Sequence, residues 1–508
     1  MLLTFIKEWL ENPDWWFCPK HSFDEHICDK YGGILDIDTV KEEEKRALCI
    51  AYDQLPRHMY RGQSSNHIIE YFLRKALDIF NSLPSLDDVH GHELCFLLLP
   101  LRHTNEPHNI FKAVEIIWGR CLNKGGAHES IYTYTCKFIS IYKKFLKASY
   151  ERCPVVGGGS WDSINLTNYP SSILDYEGST DIYEPFVLKH AIVQMFLKHI
   201  HIHIDSRYII SLSGGVDSMV GAYIAAHTLG KDRCCYVHIN YNNRDTSHDE
   251  EMFVRYWSAK WGIRLYVRRF LEIQRPLCMK YDMREVYETY TRNVRYACYR
   301  DALPGDTKVI LLHNKDDCFE NILTNITQKG KYENLLGMTH SSVQDGIRFY
   351  RPFLDIPKAK LIEYALTIGI PYLYDSTPKW SQRGQIRDHI SPVLSTWNTG
   401  CIPAFFELSS HVSGLHAIVD DYVDMILRDV LVLGNGVIEV RGIKELPRDI
   451  TVWRKILTKL DLPQPSTKSI EMFIQRGPGS KAHLSKELDI DFSNGIVVFK
   501  KSISSPSQ

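Results

Sequence analysis

Apolar residues recur at helical spacing through the first 150 residues, most clearly over 47–55, 68–80 and 131–145. This period places the apolar side chains on one face of each segment, which predicts amphipathic helices that pack against one another. Few stretches in this region alternate apolar and polar residues as a strand does. The pattern therefore predicts an all-α domain over residues 1–150.

A stretch rich in glycine, proline and small polar residues follows at 151–185, and we interpret it as a linker. After a helix predicted from about Val187 to His201, the pattern changes. Strands predicted at 208–212, 234–240, 264–270 and 308–314 alternate with helices near 216–229, 248–261 and 291–303. Alternating strands and helices predict a doubly wound parallel sheet, in a domain over 186–400. Ligands of such sheets bind at the carboxyl ends of the strands.

The remaining residues, 401–508, combine both patterns. A helix is predicted over 402–430, then a strand pair near 436–441, helices over 452–460 and 469–475, and a hairpin over 490–500 around Ser493-Asn494-Gly495. This predicts a small α+β accessory domain. The fold class is thus multidomain, with an all-α domain, a doubly wound α/β domain and an α+β tail.

Composition excludes several classes of protein. The net charge is −1 over 508 residues, so global charge argues neither for nor against a nucleic-acid partner. The 13 cysteines are scattered with no Cys-x-x-Cys pair, which disfavours a disulfide framework or a zinc ribbon. No apolar run approaches the roughly 20 residues that span a bilayer. We therefore expect a cytoplasmic protein with reduced thiols and no membrane partner.

The most informative motif is the hexapeptide Ser213-Gly214-Gly215-Val216-Asp217-Ser218. It follows a predicted strand and opens a predicted helix. Glycines let backbone N–H groups approach a phosphate, and a helix N-terminus favours negative charge. The serines add hydroxyl donors, and Asp217 suits a Mg²⁺ ion that neutralises pyrophosphate. The Gly-Lys-Ser/Thr ending of a Walker P-loop is missing from the motif.

A second cluster follows the strand predicted at 308–314, where His313 precedes Asp316, Asp317 and Glu320. Residues three and four apart share a helix face, so these carboxylates converge. They suit a second metal ion, the ammonium of an amino acid, or a proton taken from an attacking amine. The alternative is a solvated helix N-terminus, where acidic residues favour the dipole.

Arginines form further candidates. Arg292 and Arg295 lie on one predicted helix face and suit a phosphate or a carboxylate. Arg351, Arg383 and Arg387 suit an RNA backbone or the phosphates of ATP. Surface salt bridges are the alternative for all five residues.

Together these motifs identify a resemblance to the tRNA(Ile)-lysidine synthetases, which are N-type PP-loop ATP pyrophosphatases. The motifs that carry it, in order, are Ser213–Ser218, His238-Ile239-Asn240 with Arg244, Arg292–Tyr296, His313-x-x-Asp316-Asp317-x-x-Glu320, Leu336-Gly337-Met338, Arg351-Pro352, Asp375 and Arg383-x-x-x-Arg387. The match covers about 205–400, and the tail to 508 looks like that family's accessory, tRNA-binding region. The resemblance implies ATP-dependent adenylation of the wobble cytidine C2 carbonyl in a tRNA(Ile) with a CAU anticodon. Lysine then displaces AMP to give lysidine.

Carried over by position, the resemblance assigns roles to the matching residues. Ser213, Gly214, Gly215, Val216, Asp217 and Ser218 hold pyrophosphate and Mg²⁺, with Asn240 and His313 in the ATP site. Asp317 and Glu320 recognise L-lysine and take part in catalysis with Asp217 and Arg295. The substrate-binding set is Arg292, Arg295, Asp317, Glu320, Arg351, Arg383 and Arg387.

The sequence also departs from the family pattern. Tyr241 replaces the second histidine of the His-x-Asn-His segment. Cys318 and Asn321 replace the glutamine and threonine of the Asp-Asp-Gln-x-Glu-Thr motif, and Gly384 replaces an asparagine. The ATP chemistry is therefore expected to be intact, while the specificity for lysine or tRNA is in question.

The N-terminal region resembles a different family, the helical, TPR-like domain of unknown function 924. The residues that carry this resemblance are Trp15-Trp16-Phe17, Phe23-Asp24, Ala51–Gly62 and Leu99–Glu106. The resemblance assigns no chemistry. Two interpretations stay open for its polar residues, a groove that binds a tRNA or protein partner and a buried network that braces the helices. These residues are Asp53, Arg57, Arg61, His103 and Glu106.

Two alternatives to a lysidine synthetase stay open. The first is a PP-loop enzyme that adenylates another RNA base or a small substrate. A thiolase of this type is disfavoured because no Cys-x-x-Cys pair occurs, and a glutamine-dependent asparagine synthetase because residue 2 is Leu2 rather than cysteine. The second is a non-catalytic adaptor that binds tRNA or protein. The sequence does not predict the oligomeric state.

Overall fold

The structure is a computed structural model. It describes residues 1–16, 21–60, 66–122, 129–153, 159–162, 176–177, 186–200, 206–327, 335–373, 381–434, 436–442, 447–477, 479, 481–485 and 487–501. Two compact units divide the chain. Unit 1 comprises Met1–Leu312, Ser341–Pro352 and Ala359–Asp375, and unit 2 comprises His313–His340, Phe353–Lys358 and Ser376–Gln508.

In its described residues, unit 1 begins with seven α-helices. They are α1 (Leu2–Glu11), α2 (His21–Tyr31), α3 (Lys45–Met59), α4 (Asn66–Ser82), α5 (Gly91–His103), α6 (Pro107–Leu122) and α7 (Glu129–Arg152). Their apolar faces meet in one core, as the helical period predicts. Trp9 is fully buried between Phe5 and Phe96, and Trp16 donates its indole N–H to the Trp9 carbonyl at 2.7 Å. These tryptophans are core residues.

This helical region and the central sheet share one hydrophobic core within unit 1. Tyr150 of α7 donates its hydroxyl to the Glu272 carbonyl at 2.7 Å, and the Tyr150 and Tyr290 rings lie 5.0 Å apart. Tyr281 donates in turn to the Cys121 carbonyl at 2.9 Å. Buried aromatic rings whose hydroxyls also find partners make a specific interface. The helical region is therefore packed against the α/β region.

The central sheet has seven strands in the order β1-β5-β4-β3-β6-β8-β7. They are β1 (Ser160–Asp162), β3 (Tyr208–Ser211), β4 (Cys234–Asn240), β5 (Leu265–Arg269), β6 (Lys308–Ile310), β7 (Ser341–Gln344) and β8 (Ile347–Tyr350). The strands from β5 to β8 pair in parallel, and β1 and β7 add antiparallel edges. A further pair joins β2 (Tyr176–Glu177) to β9 (Tyr372–Leu373). The mostly parallel sheet confirms the predicted fold class.

Helices connect these strands in unit 1. They are α8 (Ala191–Lys198), α9 (Val216–Thr228), α10 (Ser247–Trp261), α11 (Arg275–Lys280), α12 (Arg284–Ala302) and α14 (Lys358–Ile368). Several boundaries differ from the prediction: α8 begins at Ala191 rather than Val187, and β1 and β2 lie within the stretch predicted as a linker. Helix α12 begins seven residues earlier than expected, and β6 ends at Ile310 rather than 314. Leu311 still donates its N–H to the Tyr350 carbonyl at 2.8 Å, and the chain then leaves the sheet because Asn314 caps the helix that follows.

Unit 2 contains the helices α13 (Lys315–Thr327), α15 (Gln382–Gln385), α16 (Ser391–Trp397), α17 (Cys401–Ile426), α18 (Ile450–Lys459) and α19 (Thr467–Arg476), with a π-helical segment at Ile386–Ile390. Its antiparallel sheet has the order β10-β11-β14-β13-β12. The strands are β10 (Val430–Gly434), β11 (Val437–Arg441), β12 (Lys481–Ser485), β13 (Leu488–Ser493) and β14 (Ile496–Lys501). The predicted α+β tail is confirmed. In the described part of the chain, no helix has the length and apolar character needed to cross a membrane.

Candidate functional site

The glycine turn lies at the carboxyl end of β3, as predicted. Gly214 has a φ of 93°, a left-handed conformation that glycine adopts without a steric penalty. Its carbonyl accepts the Leu373 N–H at 2.9 Å, and a Cβ at Gly214 would lie only 2.9 Å from the Leu373 side chain. The turn is therefore held in place by its neighbour and leaves no room for a larger residue.

Ser218 organises this turn from inside. Its Oγ accepts the backbone N–H groups of Ser213 and Gly214 at 3.2 and 3.1 Å, and it donates to the Gly215 carbonyl at 2.9 Å. The Ser213 hydroxyl donates to the same oxygen at 3.1 Å. Ser218 thus supports the turn from the inside, and its role as a phosphate donor stays a prediction.

The residues at the start of α9 fit a bound phosphate group. Gly215 is the N-cap, and no side chain among the described residues caps the helix there. The N–H groups of the first turn therefore remain available to an anion, and the helix dipole favours one. Asp217 lies in the same first turn and supplies a carboxylate, the ligand type that Mg²⁺ prefers. The start of α9 thus supplies the two features that the sequence predicts, N–H groups for a phosphate and a carboxylate for Mg²⁺.

Asn240 ends β4 but uses its side chain within the protein. Its side-chain Nδ2 donates to the Ser247 carbonyl at 3.1 Å and to Glu251 at 2.9 Å, and its side-chain Oδ1 accepts the Asn242 N–H at 2.8 Å. Glu251 is buried and also binds Arg255 at 2.6 Å and Arg269 at 2.6 Å. Burial raises the pKa of Glu251, but Arg269 and Asn240 outweigh it, so the pKa lies below the ordinary value. Sequence reasoning missed this network, because its acid and its arginines stand in no shared motif.

Arg295 lies near the carboxyl ends of β3 and β4. It donates to the Tyr241 hydroxyl at 3.4 Å, and Tyr241 stacks on Phe270 at 5.4 Å. One helical turn further, Tyr299 donates to the Ser211 hydroxyl at 3.1 Å, at the end of the strand that leads into the glycine turn. The buried Arg295 Nε has no hydrogen-bond partner within the described structure. Arg295 therefore keeps donor capacity for an anion.

The other two candidate arginines of unit 1, Arg292 and Arg351, differ from Arg295 in their surroundings. Arg292 is exposed, which agrees with the alternative interpretation that it is a surface residue. Arg351 is buried and donates to the Ser342 hydroxyl at 3.0 Å, with its guanidinium 5.8 Å from the centre of the Phe349 ring. Their substrate-binding roles stay predictions.

The acidic cluster belongs to unit 2 and opens α13. His313 precedes Asn314, whose Oδ1 accepts the Asp317 N–H at 3.0 Å while Asp317 Oδ2 accepts the Asn314 N–H at 3.0 Å. Such a reciprocal pair satisfies two donors of the first turn. Asp316 accepts the N–H of Lys358, another residue of unit 2, at 2.8 Å. Two of the three acids thus have backbone partners.

Glu320 forms the centre of a charged network in unit 2. Its Oε1 accepts Arg387 Nε and Nη2 at 3.0 and 2.7 Å, and Arg387 also lies 3.9 Å from Asp317. Arg383 Nε lies 3.9 Å from Glu320 Oε2, outside hydrogen-bond distance. The structure thus brings together four predicted residues, Asp317, Glu320, Arg383 and Arg387.

The carboxyl of Glu320 is only 2% exposed, and its Oε2 accepts no hydrogen bond in the described part of the chain. Burial raises the pKa of Glu320, Arg387 partly offsets that effect, and Asp317 adds to it. A buried acceptor with spare capacity and a raised pKa suits a group that binds an ammonium or takes a proton.

The residues that depart from the family pattern lie around this network. Asn321 accepts a hydrogen bond from Arg383 Nη2 at 2.9 Å. Gly384 is buried, and its N–H is capped by Ser381 at 3.0 Å. Cys318 packs in a small core with Met338 and Leu354. Asp375 and Ser376 lie outside the described residues.

The polar residues of the N-terminal region form a network around Asp53. Asp53 is buried and accepts His103 Nδ1 at 2.8 and 3.0 Å, Arg57 Nη2 at 3.3 Å, and the amide of Gln54. Glu106 is exposed and pairs instead with Asn109 and His108. Arg61 lies outside the described residues. The bracing network is therefore present among Asp53, Arg57 and His103.

Comparison with known proteins adds two family matches and several relatives. The PP-loop domain family matches residues 188–394, and the family described as bacterial protein of unknown function (DUF924) matches residues 5–148. The tRNA(Ile)-lysidine synthase of Bacteroides thetaiotaomicron is 27% identical over 227 residues, which cover 43% of this chain and 50% of that protein. The tRNA(Ile)-lysidine synthase of Staphylococcus epidermidis (strain RP62A) is 29% identical over 195 residues, covering 37% and 44%.

The chain spans about half the length of these relatives. Among solved structures, the U34-tRNA thiolase NcsA from Methanococcus maripaludis matches 44% of this chain and 78% of that chain, with a TM-score of 0.36 and 18% identity. The glycine turn and the arginine–carboxylate network both fall within the PP-loop match. Residues 188–394 are therefore similar to the PP-loop domain family and to part of the tRNA(Ile)-lysidine synthases, and residues 5–148 are similar to the DUF924 family.

Proposed function

We propose that this chain is an ATP-dependent, tRNA-modifying ligase that joins L-lysine to the wobble cytidine of a tRNA(Ile) with a CAU anticodon, in the cytoplasm. The observation that carries the proposal is the N-terminus of α9, where a glycine turn leads into a helix that no described side chain caps. This is the arrangement that binds phosphates through backbone N–H groups. The similarity to tRNA(Ile)-lysidine synthases supports the choice of tRNA and lysine.

In the first step, the cytidine C2 oxygen attacks the α-phosphorus of ATP and pyrophosphate leaves. The role of the chain is to hold the phosphates and to stabilise the charge on the pyrophosphate. The first-turn N–H groups of α9 and the free capacity of Arg295 suit these two tasks. Mg²⁺ held by Asp217 would supply further charge neutralisation for the leaving group.

In the second step, the lysine ε-amine attacks C2, the C2–O bond breaks and AMP leaves. The attacking nitrogen has to lose its protons on the way to the product. Glu320 suits the role of the base because its Oε2 is buried and accepts no hydrogen bond within the described structure. Arg387 holds the other oxygen at 2.7 Å and so orients the carboxyl. Asp317, which pairs with Arg387, adds negative charge that attracts the ammonium.

A second candidate is a PP-loop ligase that uses another amine or another base. Asn321 is the observation that favours it, because this departure from the family pattern lies one residue after Glu320 and binds Arg383 at 2.9 Å. Asn321 and Arg383 thus contribute to the shape and charge that an amine meets beside Glu320. This candidate shares the first step and differs in the second substrate.

Labelled lysine, ATP, Mg²⁺ and an unmodified tRNA(Ile) transcript with a CAU anticodon test the proposal. Label in acid-precipitable RNA is expected with the wild type and not with Asp217→Ala. Asp316→Ala is the matched control, because Asp316 lies in the acidic cluster but accepts a backbone N–H. Release of AMP and pyrophosphate with another RNA or amine, and no lysine label, would favour the second candidate. An absence of ATP cleavage under every condition would contradict both and favour a non-catalytic adaptor.

A further inference from the structure

A cluster of basic residues in the N-terminal helical region has more positive charge than the ligase reaction explains. Arg57 lies in the last turn of α3, Arg102 and His103 lie in the last turn of α5, and Arg152 ends α7. Asp53 is the carboxylate that pairs with this group, through Arg57 and His103. Among the described residues, three arginines beside one aspartate give this cluster a formal surplus of two positive charges.

Arg102 is the member that needs an explanation. It is 9% exposed, and its Nε has no hydrogen-bond partner among the described residues. In the same set of residues, no carboxylate lies within ion-pair distance of it, and its guanidinium lies 5.0 Å from the centre of the Phe145 ring. A buried guanidinium is expensive unless it is paired. The helix dipole at the end of α5 and the ring offset only part of that cost.

The neighbours of Arg102 make the site more positive rather than less. Phe145 and Arg152 lie seven residues apart on one face of α7, so the ring under Arg102 shares its face with a second arginine. Burial, followed by the charge of Arg152, lowers the pKa of Arg102 to about 10. Arg57 and Arg102 both oppose a proton on His103, whose pKa burial already lowers. The arginines thus share one electrostatic environment.

The site has an inner and an outer part. Arg102 and His103 are recessed, while the Arg57 side chain is 31% exposed and Arg152 is exposed. His103 uses Nδ1 for Asp53, which turns Nε2 away from that carboxylate. A ligand can therefore meet the two exposed arginines first and reach Arg102 with a compact anionic group.

We propose that Arg57, Arg102, His103 and Arg152 form a binding site for the phosphate monoester group of a small molecule. A monoester carries a charge near −2 at neutral pH, which matches the surplus of the cluster. The planar guanidinium also matches phosphate oxygens in two-point geometry. A carboxylate carries a single negative charge and would neutralise only half of the surplus positive charge of the cluster. An RNA backbone presents diesters with one charge each, along a chain that reaches a recessed guanidinium poorly. Asp53 is a positioning residue that orients His103 and Arg57.

Equilibrium dialysis of the full chain against labelled inorganic phosphate and labelled phenyl phosphate tests this site. The variants are Arg102→Met, which replaces the aliphatic stem of the arginine and removes the guanidinium, and Arg152→Gln, which changes an exposed residue and should not affect folding. Arg74→Gln, an exposed arginine of α4, is the matched control. Because the PP-loop is the same in all four proteins, differences between them report the N-terminal site alone.

Loss of one bound equivalent, or affinity weaker by roughly tenfold or more, is expected for Arg102→Met and Arg152→Gln but not for Arg74→Gln. Phosphate should raise the Tm of Arg102→Met by less than it raises the Tm of the wild type, because the variant keeps the glycine turn and loses the N-terminal site, although removal of the buried charge raises the Tm of this variant without ligand. Equal phosphate binding by all four proteins would overturn the proposal. Arginine-dependent binding of an RNA oligonucleotide or of acetate, without binding of either phosphate, would overturn it as well.

Discussion

Two buried carboxyls, Asp53 in unit 1 and Glu320 in unit 2, have similar partners, but their pKa values shift in opposite directions. Both are almost fully buried, and both face arginines. Asp53 accepts hydrogen bonds on both oxygens, so its partners outweigh burial and its pKa falls. Glu320 accepts them on one oxygen and lies near Asp317, so burial prevails and its pKa rises. The number of donors that reach each oxygen decides between a bracing carboxyl and a reactive one.

The largest effect is expected at Glu320. Glu320→Gln keeps the shape of the side chain and removes the proton acceptor, so lysine incorporation should fall by about a thousandfold. The Tm should fall as well, because Arg387 is only 26% exposed and loses its charged partner, so the rate is compared per folded molecule. The measurement is the initial rate of labelled lysine transfer. A variant with less than a tenfold loss of rate would show that Glu320 is a bracing residue like Asp53.

For Asp53→Asn, we expect a loss of stability rather than a loss of the rate of lysine transfer. Loss of the charge leaves His103 and Arg57 without their carboxylate, which costs about 3 kcal/mol of stability. Amide hydrogen exchange of α3 and α5 should therefore accelerate by roughly a hundredfold. Lysine transfer per folded molecule should stay at the wild-type rate. Unchanged exchange together with a reduced rate would reverse the roles of the two carboxyls.

The pH dependence of stability and of the rate of lysine transfer distinguishes Asp53 from Glu320. Asp53 has a lowered folded pKa, so its contribution to stability is present above its unfolded pKa of about 3.9 and is lost as the pH falls through the folded value. The difference in hydrogen exchange between wild type and Asp53→Asn should thus be constant from pH 7 to about pH 5.

Glu320 has a raised pKa and must be ionised to accept a proton. The acidic limb of the rate of lysine transfer should therefore have its midpoint above about 4.3, the pKa of an ordinary glutamate. A midpoint at or below that value would contradict the raised pKa. Glu320→Gln should abolish this limb in whatever activity remains.

The smallest effect is expected at the edge of the Glu320 network. Asn321→Thr introduces the residue of the family pattern and replaces an exposed hydrogen bond to Arg383. Such a bond contributes at most about 1 kcal/mol, so kcat/KM for lysine should change by less than about fivefold. A larger gain would indicate that Asn321 selects a different amine. Asn325→Thr, on the same helix, serves as the control.

The sequence predicts the glycine turn well because its causes are local. Gly214 needs a positive φ and follows a strand, and both facts are visible within ten residues. The β7–β8 hairpin had a local signal too, in Asp345-Gly346 with φ of 50° and 76°, and it was not predicted. The early end of β6 was missed because a capping asparagine competes with an apolar run for the same residues.

The networks are less predictable because their members are distant in sequence. Glu320 and Arg387 are 67 residues apart, and His103 and Asp53 are 50 apart. The sequence motifs contain the four residues that the structure brings together around Glu320, but they do not predict which oxygen remains without a hydrogen bond. The burial of Arg102 has no sequence signal, because an arginine at a helix C-terminus is ordinarily exposed to solvent.

The central claim is that the PP-loop activates the tRNA and that Glu320 acts afterwards, on the amine. The most direct test measures the two partial reactions separately in wild type and Glu320→Gln. Exchange of labelled pyrophosphate into ATP, with tRNA present and lysine absent, reports adenylation, and lysine transfer reports the second step. We predict that Glu320→Gln keeps tRNA-dependent exchange and loses transfer. Loss of both reactions to the same extent, or transfer at the wild-type rate, would contradict the account.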